Sequence, residues 1–539
     1  MTARLDPAAR RAALRRLSED DLDVLVVGGG VVGAGAALDA VSRGLRVGLL
    51  ERDDWGSGAS GHSSTLVNGS WRDVSAPDIA ELRGALRERS MLLGWLAPHL
   101  VRRVPVLYPL YRGPGERIVV GAEVLLYDTI ARAVTVGEPL PAHRHLTRRA
   151  VRRVAPALPG ERVSGGVQFY DAQVDDARLV TTIVRTAAAY GAYVAHRAEV
   201  TELLREGTRV TGVTVRDHQT GEDLTVAARV VVLAAGRWST ELLAAATPAP
   251  ESDGRRHLYA VVPRPAIRSS TGIVVPGEGR GLVRIIPWGR HWLLGPVRVG
   301  SQAAAGPPVA SAEDLDRLLS MVNPHLAIPL HRPQVQSCFA AVGPTTSPGL
   351  GPAHRPAPGL VLAGEARLST YRLVAAGAVD GAAAEIGGLI APSITERLPL
   401  VGADGYHARW NQRHLLARRA GLHVARVEHL LNRYGSAADD VLQLIGTRPE
   451  LGQPLPGAAD YLRAEVRYAV THEGATTLED ILVRRTRIAL DTPDGGLQAA
   501  STAAELAAEP LGWDTAEVER QVAVYQQWLR RERSGLIAL

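Results

Sequence analysis

Residues 23–55 read DVLVVGGGVVGAGAALDAVSRGLRVGLLERDDW, and this stretch carries the strongest structural signal in the chain. Two short apolar runs, at 23–27 and 47–50, are typical of buried parallel strands. Between them lies an alanine-rich segment that predicts a helix, entered through a glycine-rich turn. The order strand, helix, strand predicts a parallel βαβ unit and therefore an α/β fold class.

The glycines of this turn stand in the order G-x-G-x-x-G, and each has a physical role in holding a dinucleotide. Gly28 permits the tight turn, Gly30 lets the backbone approach the pyrophosphate, and Gly33 lets the helix pack closely on the strand. Free N–H groups at the helix N-terminus favour the phosphates. Glu51 follows the second strand, where its carboxylate accepts hydrogen bonds from the adenosine ribose. A dinucleotide cofactor is therefore predicted.

Three observations favour FAD over NAD as that dinucleotide. The motif lies near the start of a long chain, so the later chain can return to complete the cofactor site. Residues 198–201 predict a strand beside the adenine with Val200 as the contact, although Val200 taken alone would be interpreted as a core residue. A buried strand at 230–233 leads into a small turn ending at Gly236, where a second contact to the nucleotide is expected.

The composition sets wider limits. With 539 residues, 46% hydrophobic and 22% charged, the chain has the composition of a globular protein large enough for more than one domain. The 61 cationic residues are all arginines, since the sequence contains no lysine. Schiff-base chemistry and a Walker-type phosphate loop both need lysine and are therefore excluded. A net charge of +5 gives little support to nucleic-acid binding, and no nucleic-acid partner is predicted.

Cysteine and histidine usage indicates neither disulfides nor a metal site. Cys338 is the single cysteine, so no intramolecular disulfide can form, and the 16 histidines show no spacing typical of metal ligands. No apolar run reaches the length of a membrane-spanning helix, and residues 1–20 predict a basic helical extension rather than a secretory signal. A cytoplasmic protein without a metal is therefore expected.

Further stretches give the chain a specific family resemblance. It resembles the FAD-dependent, quinone-linked glycerol-3-phosphate dehydrogenases of the D-amino-acid-oxidase-like flavoprotein class, over about residues 22 to 513. Besides the glycine-rich stretch, the motifs that carry the resemblance are ERDDWGSGASGHSSTLVNG (51–69), ALRERSMLLGWLAPHLV (85–101), YDAQVDDARLV (170–180), IPWGRHWLLG (286–295), LSTYR (368–372) and GLHVARVEHLLNRYG (421–435). The resemblance implies a Rossmann-like FAD-binding domain interleaved with an antiparallel-sheet substrate domain, followed by a C-terminal helical domain.

The expected domain bounds follow from the same motifs. After the extension at 1–20, they are an FAD-binding domain at 21–75, 150–240 and 358–395, a substrate domain at 76–149 and 241–357, and a C-terminal helical domain at 400–539. The last of these also shows helical periodicity of its own. In the motif YDAQVDDARLV, Asp175, Asp176 and Arg178 are expected to shape the sheet of the substrate domain rather than to act in catalysis.

The resemblance implies oxidation of sn-glycerol 3-phosphate to dihydroxyacetone phosphate, a step of glycerol metabolism. In that reaction a hydride passes from carbon to FAD, a base accepts the hydroxyl proton, and the electrons leave to a quinone. The cofactor-binding residues that the resemblance and the glycine motif imply are Gly28, Gly30, Val31, Gly33, Glu51, Arg52, Ser63, Ser64, Val200, Gly236, Leu368 and Ser369. The residues implied at the reacting centre are Asn68, Arg72, Asp73, Arg367 and Arg372.

Several positions depart from the family pattern. Asn68 stands where the family has histidine, and it cannot accept a proton as histidine does. Asp73 replaces a tyrosine, and its carboxylate is able to act as a base but repels a phosphate. Gly343 replaces an arginine that grips the substrate phosphate. Glu365 replaces a glycine beside Arg367, which itself stands for a lysine, and it either faces solvent, pairs with Arg367 or perturbs the flavin.

Three hypotheses are consistent with this pattern. The chain is a working glycerol-3-phosphate dehydrogenase, or an oxidoreductase of the same fold whose substrate has no phosphate, or an inactive paralogue kept as a binding or scaffold protein. The first needs cations that converge on a phosphate-sized pocket, the second needs fewer cations, and the third tolerates a blocked flavin site. Coverage of nearly the whole chain favours the family activity. The sequence leaves open whether the chain forms an oligomer.

Contact with a membrane surface, where a quinone acceptor is reached, is the remaining question. Residues 99–120, HLVRRVPVLYPLYRGPGERIVV, mix arginines with tyrosines and aliphatic residues, as an interfacial segment does. The same stretch also predicts a pair of strands of the substrate domain with a basic edge, and this second interpretation is preferred.

Overall fold

The structure is a computed structural model that describes residues 3–67, 79–244, 256–279, 281–300, 309–342 and 353–537. Its strands, numbered in chain order, are β1 (Leu22–Val27), β2 (Val47–Leu50), β3 (Leu66–Val67), β4 (Arg102–Leu110), β5 (Arg144–Thr147), β6 (Gly165–Gln173), β7 (Tyr193–Ala195), β8 (Ala198–Glu206), β9 (Arg209–Asp217), β10 (Asp223–Leu233), β11 (Arg256–Pro263), β12 (Gly272–Pro276), β13 (Leu282–Trp288), β14 (His291–Val299), β15 (Ser337–Val342), β16 (His354–Ala357), β17 (Leu360–Leu362), β18 (Pro454–Leu455) and β19 (Ala458–Leu462).

Its helices, numbered in the same way, are α1 (Pro7–Glu19), α2 (Val31–Ser42), α3 (Ile79–Met91), α4 (Gly113–Val134), α5 (Arg148–Val154), α6 (Asp176–Ala189), α7 (Trp238–Ala244), α8 (Ala312–Val322), α9 (Tyr371–Ile386), α10 (Tyr406–Asn411), α11 (Arg413–Ala420), α12 (Val424–Tyr434), α13 (Ala438–Thr447), α14 (Arg463–Glu473), α15 (Ile488–Asp491), α16 (Leu497–Leu511), α17 (Thr515–Glu532) and α18 (Ser534–Ile537).

The first sheet is built around the βαβ unit predicted from residues 23–55, which the structure confirms. Its strands lie in the order β16–β17–β10–β1–β2–β7, and all of them except β16 run parallel. Helices α2, α6 and α9 pack on one face. Strands β8 and β9, which extend antiparallel from β10, cover the other face together with α1. Because both faces are covered, β1 is fully buried from Val24 to Val27.

The second sheet is mostly antiparallel and has the order β15–β11–β14–β13–β12–β4–β6–β3, with β5 beside β6. Its one parallel pair among the described strands is β12 with β4. Helices α5 and α8 pack on one face of this sheet and α4 packs on the other. Groups of strands of the two sheets alternate along the chain: β1–β2, β7–β10 and β16–β17 belong to the first sheet, and β3–β6 and β11–β15 belong to the second. The two domains are therefore interleaved, as expected. Strand β6 joins the second sheet from within the range 150–240.

The segment 99–120 does not form a pair of strands, so that interpretation is wrong. It forms β4 and then the first two turns of α4. The helix begins because Gly113 takes a positive φ of 71° and Pro114 occupies the first turn, where its missing N–H costs nothing. The Glu116 carboxylate also accepts hydrogen bonds from the N–H groups of Tyr111 and Arg112, both at 2.6 Å.

The C-terminal domain contains α10 to α17 and the short β18–β19 hairpin. Its two apolar clusters centre on α12 to α14 and on α14 to α17. Where it meets the first sheet, the contact is built largely from buried charged residues, which are described below. Among the described residues, no helix is both long enough and apolar enough to span a membrane.

Candidate cofactor and active site

The turn between β1 and α2 closes so tightly that two of its glycines are sterically required. Gly28 has φ +111°, and a Cβ at this position would lie 2.6 Å from the Ala234 carbonyl oxygen. A Cβ at Gly33 would lie 1.9 Å from the Gly28 carbonyl oxygen. These close approaches bring the N-terminus of α2 against the carboxyl ends of β1 and β10. That edge of the sheet is where nucleotides bind in doubly wound folds.

A serine of the following loop holds the N-terminus of α2. The Val31 N–H donates to Ser60 Oγ at 3.0 Å, and Gly30 precedes the helix as its N-cap with extended backbone. A Cβ on Gly30 would lie 3.1 Å from the same Ser60 oxygen. The backbone of this turn can therefore approach an anionic group, in keeping with the predicted roles of Gly30 and Val31. Ser60 was not predicted, although it stands in the small-residue run GSGASG after Glu51.

Glu51 is preorganised as an acceptor at the end of β2. Its carboxylate accepts hydrogen bonds from the N–H groups of Gly29 at 2.6 Å and Asp53 at 2.8 Å. Burial nevertheless raises its pKa to about 7, because the two N–H donors offset only part of the desolvation. Each carboxylate oxygen keeps a further lone pair, so the group can still accept from the two hydroxyls of a ribose.

The turn predicted to make a second contact with the nucleotide lies near Glu51. The turn that contains Gly236 (φ +57°) adjoins Gly28, because Ala234 N–H donates to the Val27 carbonyl at 2.8 Å. Arg52 stacks over the Trp238 ring at 4.8 Å from its centroid, an aromatic surface that sequence analysis did not identify.

The side chain of Val200, in contrast, packs in the hydrophobic core. It packs in the apolar cluster beneath β8 and β9 with residues such as Val213 and Leu50. The Ala198 N–H donates to the Glu51 carbonyl at 2.9 Å, which brings the start of β8 to the cofactor turn. The backbone contact with an adenine therefore stays a prediction.

Ser63 and Ser64 lie in the loop that leads from the first sheet to the second. Ser63 donates to Asp176 Oδ2 from both its N–H and its hydroxyl, each at 2.8 Å. Ser63 Oγ in turn accepts from the Thr65 N–H at 3.0 Å, and Thr65 has a positive φ of 60°. Asp176 is the first residue of α6, and it supports this loop rather than the second sheet. The expectation that Asp175, Asp176 and Arg178 shape the sheet of the substrate domain is therefore wrong.

The chain returns to the cofactor region at the start of α9. Leu368 and Ser369 are buried there, and Thr370 Oγ1 accepts from the Arg367 N–H at 3.2 Å. The Arg367 guanidinium is half-buried and lies 4.0 Å from Glu81. Helix α9 lies so close to α2 that a Cβ on Gly35 would come within 3.1 Å of an aromatic carbon of the first residue of α9. The N-terminus of α9 is thereby fixed beside the glycine turn.

Arg372 lies in a buried ion pair. Its Nε and Nη2 donate to the two oxygens of Glu88 at 2.8 and 2.5 Å, and its Nη1 donates to Thr395 at 3.2 Å. Since all three nitrogens of the guanidinium are occupied, these contacts favour a role in holding α9 on α3 over contact with a substrate. Of the other residues predicted at the reacting centre, Asn68, Arg72 and Asp73 lie outside the described residues, as does Gly343.

A buried ionic cluster joins the first sheet to the C-terminal domain. Asp54, His196 and Asp480 place potential metal-ligand atoms within 4.8 Å of one another. Arg485 donates to both oxygens of Asp54 at 2.7 Å, and Arg484 donates to Asp54 at 2.5 Å and to Asp480 at 2.6 Å. Burial lowers the pKa of His196 to about 4, so this ring is neutral. The carboxylates are neutralised by guanidinium groups, and the cluster is an ion-pair network. Sequence analysis missed it, because its members lie hundreds of residues apart.

Comparison with known proteins defines the class and then the family. A family model described as FAD dependent oxidoreductase matches residues 23–379, and one described as the C-terminal domain of alpha-glycerophosphate oxidase matches residues 393–518. The fold and the glycine turn with Glu51 fit that class, and its cofactor is FAD.

Two relatives narrow the class to one family. Over 98% of this chain, it is 41% identical to glycerol-3-phosphate dehydrogenase 2 of Mycobacterium tuberculosis and 40% identical to glycerol-3-phosphate dehydrogenase of Mycobacterium leprae, covering 92% and 91% of those proteins. The chain belongs to the family of FAD-dependent glycerol-3-phosphate dehydrogenases, as the resemblance predicted. Its fold matches that of the Bacillus halodurans glycerol-3-phosphate dehydrogenase complexed with FAD, with a TM-score of 0.80 and 23% identity over 99% of this chain and 100% of that one.

Proposed function

We propose that this chain oxidises sn-glycerol 3-phosphate to dihydroxyacetone phosphate and passes the electrons to a membrane quinone. The observation that carries the oxidation is the 41% identity, over 98% of the chain, to a protein named glycerol-3-phosphate dehydrogenase 2. The glycine turn and the preorganised Glu51 carboxylate support it, because together they fit the pyrophosphate and the ribose of the FAD that this oxidation needs.

The proposed roles of the chain's residues follow from their side-chain chemistry and from the family resemblance. FAD held by the glycine turn and Glu51 would supply the hydride acceptor for oxidation of the carbinol carbon. Asp73, a carboxylate, is the proposed acceptor of the hydroxyl proton, and Arg72 is the proposed phosphate ligand. Asn68, which replaces a proton-accepting histidine, is limited to hydrogen bonding in this scheme. Arg367 and the N-terminus of α9 supply positive potential, which favours an electron-rich group nearby.

The test is a visible absorption spectrum of the purified protein, followed by anaerobic addition of glycerol 3-phosphate. Bound flavin that bleaches supports the proposal, and glycerol without the phosphate is the matched control. Flavin that bleaches only with a non-phosphorylated alcohol would support the second hypothesis. A protein that cannot be loaded with FAD would support the third. Asp73→Asn is expected to bind FAD normally and to bleach at least 10²-fold more slowly, because a positioned base contributes about that much.

We also propose that the outer face of α4 rests on the membrane surface that holds the quinone. Four aliphatic side chains along this face are strongly exposed: Ile118 (71%), Val119 (56%), Leu125 (56%) and Leu126 (60%). The opposite face of the helix is buried against β4 and β6. Exposed arginines at 112, 117 and 132 lie on the same helix or at its start, where they can meet anionic headgroups.

Sedimentation with lipid vesicles tests this surface. The protein is expected to bind vesicles that contain anionic lipid and to bind neutral vesicles less. Leu125→Glu with Leu126→Glu should abolish binding, whereas Ile328→Glu, at an equally exposed aliphatic residue outside α4 (73%), should not. Retained binding by the double variant would refute the proposal. A shift of that variant from dimer to monomer in size-exclusion chromatography would instead identify the face as a contact between copies of the chain.

A further inference from the structure

Three arginines of the C-terminal domain reach the segment that holds the cofactor. Arg484 and Arg485 end a π-helical turn (Asp480–Arg485), and Arg487 follows with a left-handed backbone, φ +72°. All three are buried. A non-glycine residue in this conformation costs free energy and is retained where its contacts require it. The turn therefore directs three guanidinium groups at one target, residues 51–65.

We infer that Arg487 is a positioning residue for FAD: it holds Ser63 through Asp176 and makes the C-terminal domain part of the cofactor site. The inference rests on FAD as the cofactor and is independent of the substrate proposed above. It assigns a role to a domain that contributes none of the residues predicted to bind the cofactor.

A single carboxylate links the two domains at this point. Arg487 forms an ion pair with Asp176 through Oδ1, while Oδ2 of the same carboxylate accepts both hydrogen bonds from Ser63. Arg487 also donates to the Gly61 carbonyl at 3.3 Å and to Asp175 Oδ1 at 3.0 Å. One guanidinium thus holds Gly61 directly and Ser63 through Asp176. The backbone that enters Ser64 is fixed from both sides.

The charge of Arg487 is as important as its shape. Asp176 is buried and the adjacent Asp175 is half-buried, so their carboxylates repel each other unless a cation lies between them. Arg487 contacts both, and Arg433 adds a second, longer contact of 3.5 Å to Asp175. Without Arg487, Asp176 would lose the ion pair that fixes its Oδ1 and would lie beside Asp175 with less compensating charge, so its hold on Ser63 would weaken.

The other two arginines act on the opposite end of the same segment. Arg485 and Arg484 fix Asp54, as described above. The turn that Asp54 begins is tied to the glycine motif, because the Gly56 N–H donates to the Gly29 carbonyl at 3.0 Å. The Gly29 N–H in turn donates to Glu51. The C-terminal domain therefore supports the segment at its phosphate turn as well as at Ser63.

A small cavity marks the place where the three parts of the chain meet. It has a volume of about 10 Å³, and it is lined by Gly61, Ser63 and Thr65 of the loop, by Trp288 of the second sheet and by Arg487. The Arg487 guanidinium carbon lies 5.9 Å from the centroid of the Trp288 ring. Arg487 is thus the point at which the C-terminal domain reaches both the cofactor loop and the substrate domain.

The test is the FAD affinity of the full-length apoprotein, followed by flavin fluorescence without substrate. Arg487→Gln is expected to weaken FAD binding about tenfold, within the usual range of coupling between sites. Arg487→Lys keeps the charge but not the fork, and an intermediate loss is expected. Arg467→Gln is the matched control, since Arg467 pairs with Glu509 at 2.9 Å within the C-terminal domain. It should bind FAD like the unmodified protein.

A second readout separates positioning from general stability. If Arg487 acts on the cofactor, the increase in Tm on adding FAD should shrink in Arg487→Gln. If it only stabilises the fold, apoprotein and holoprotein should lose the same amount and the affinity should not change, which would overturn the inference. An equal loss of affinity in Arg467→Gln would also overturn it. Should Arg487→Gln fail to fold, Asp176→Asn interrupts the same link, and an unchanged FAD affinity there would refute it.

Discussion

The ionisation of Glu51 leads to a prediction about how FAD binding depends on pH. Its pKa is raised to about 7 by burial in the protein without cofactor. Ribose hydroxyls donate hydrogen bonds to the ionised carboxylate, so bound FAD favours the charged form and lowers this pKa. Binding below pH 7 therefore requires the loss of a proton. The apparent affinity should rise about tenfold from pH 6 to pH 8, equivalent to about 1.4 kcal/mol.

The stability of the apoprotein should change with the opposite sign. Because the folded-state pKa of about 7 lies above the ordinary value of 4.5, the folded protein binds more protons than the unfolded chain between these values. The contribution of Glu51 is thus most favourable below pH 4.5 and is lost as pH rises through 7. The full loss is about 3 kcal/mol. Neighbouring His196, with a pKa of about 4, stays neutral from pH 6 to 8 and adds no titration there.

Isothermal titration of apoprotein with FAD between pH 6 and 8 measures the first effect and urea unfolding of the apoprotein measures the second, with Glu51→Gln as the comparison in both. The variant should bind FAD more weakly at pH 8 and show no pH dependence. Its apoprotein should be more stable than the unmodified apoprotein at pH 8, because it carries no buried charge. If the unmodified protein binds FAD equally well at pH 6 and 8, or if Glu51→Gln keeps the same slope, the reasoning from Glu51 fails.

Two further outcomes follow from close contacts in the structure. Gly33→Ala should abolish FAD binding and lower Tm, since the added carbon would lie 1.9 Å from the Gly28 carbonyl oxygen. Gly377→Ala in α9 is the control, because its added carbon meets nothing within 4 Å and should leave FAD binding and Tm unchanged. Similar FAD affinity in the two variants would contradict the steric argument. Arg372→Met should destabilise the protein by about 3–5 kcal/mol in urea unfolding, because it leaves Glu88 buried and unpaired. Adding Glu88→Leu should recover part of that loss. If Arg372 were catalytic, the variant would instead lower the rate of flavin bleaching and leave the stability unchanged.

The parts of the site that sequence analysis predicted are those set by local spacing. Gly28, Gly33 and Glu51 belong to one stretch of about 30 residues, and the steric reason for each glycine can be read from the strand–turn–helix order. The family resemblance added the Ser63 loop and the start of α9. The roles of these residues in binding FAD, and the catalytic residues that the resemblance implied at 68, 72 and 73, stay predictions.

The parts that were missed depend on distant pairs or on competing local signals. Arg485 and Asp54 are separated by 431 residues, and nothing in either stretch indicates its partner. The start of α4 was included in the predicted pair of strands, and its Ile118, Val119 and Val120 are β-branched, a composition typical of strands. Tertiary packing decides otherwise, since Val120 is buried against the second sheet while Ile118 and Val119 are exposed.

The order of the strands in the first sheet has a consequence for how the chain is made. Strand β1 pairs with β10, and Gly28 packs on Ala234, so the cofactor turn is incomplete until about 200 further residues have left the ribosome. At ordinary rates of synthesis this takes roughly 10 to 40 seconds. Throughout that time the edge of β1 that pairs with β10 lacks its partner, an exposure that favours binding by chaperones. Nascent chains released before residue 234 should therefore fail to retain flavin, however complete their glycine motif.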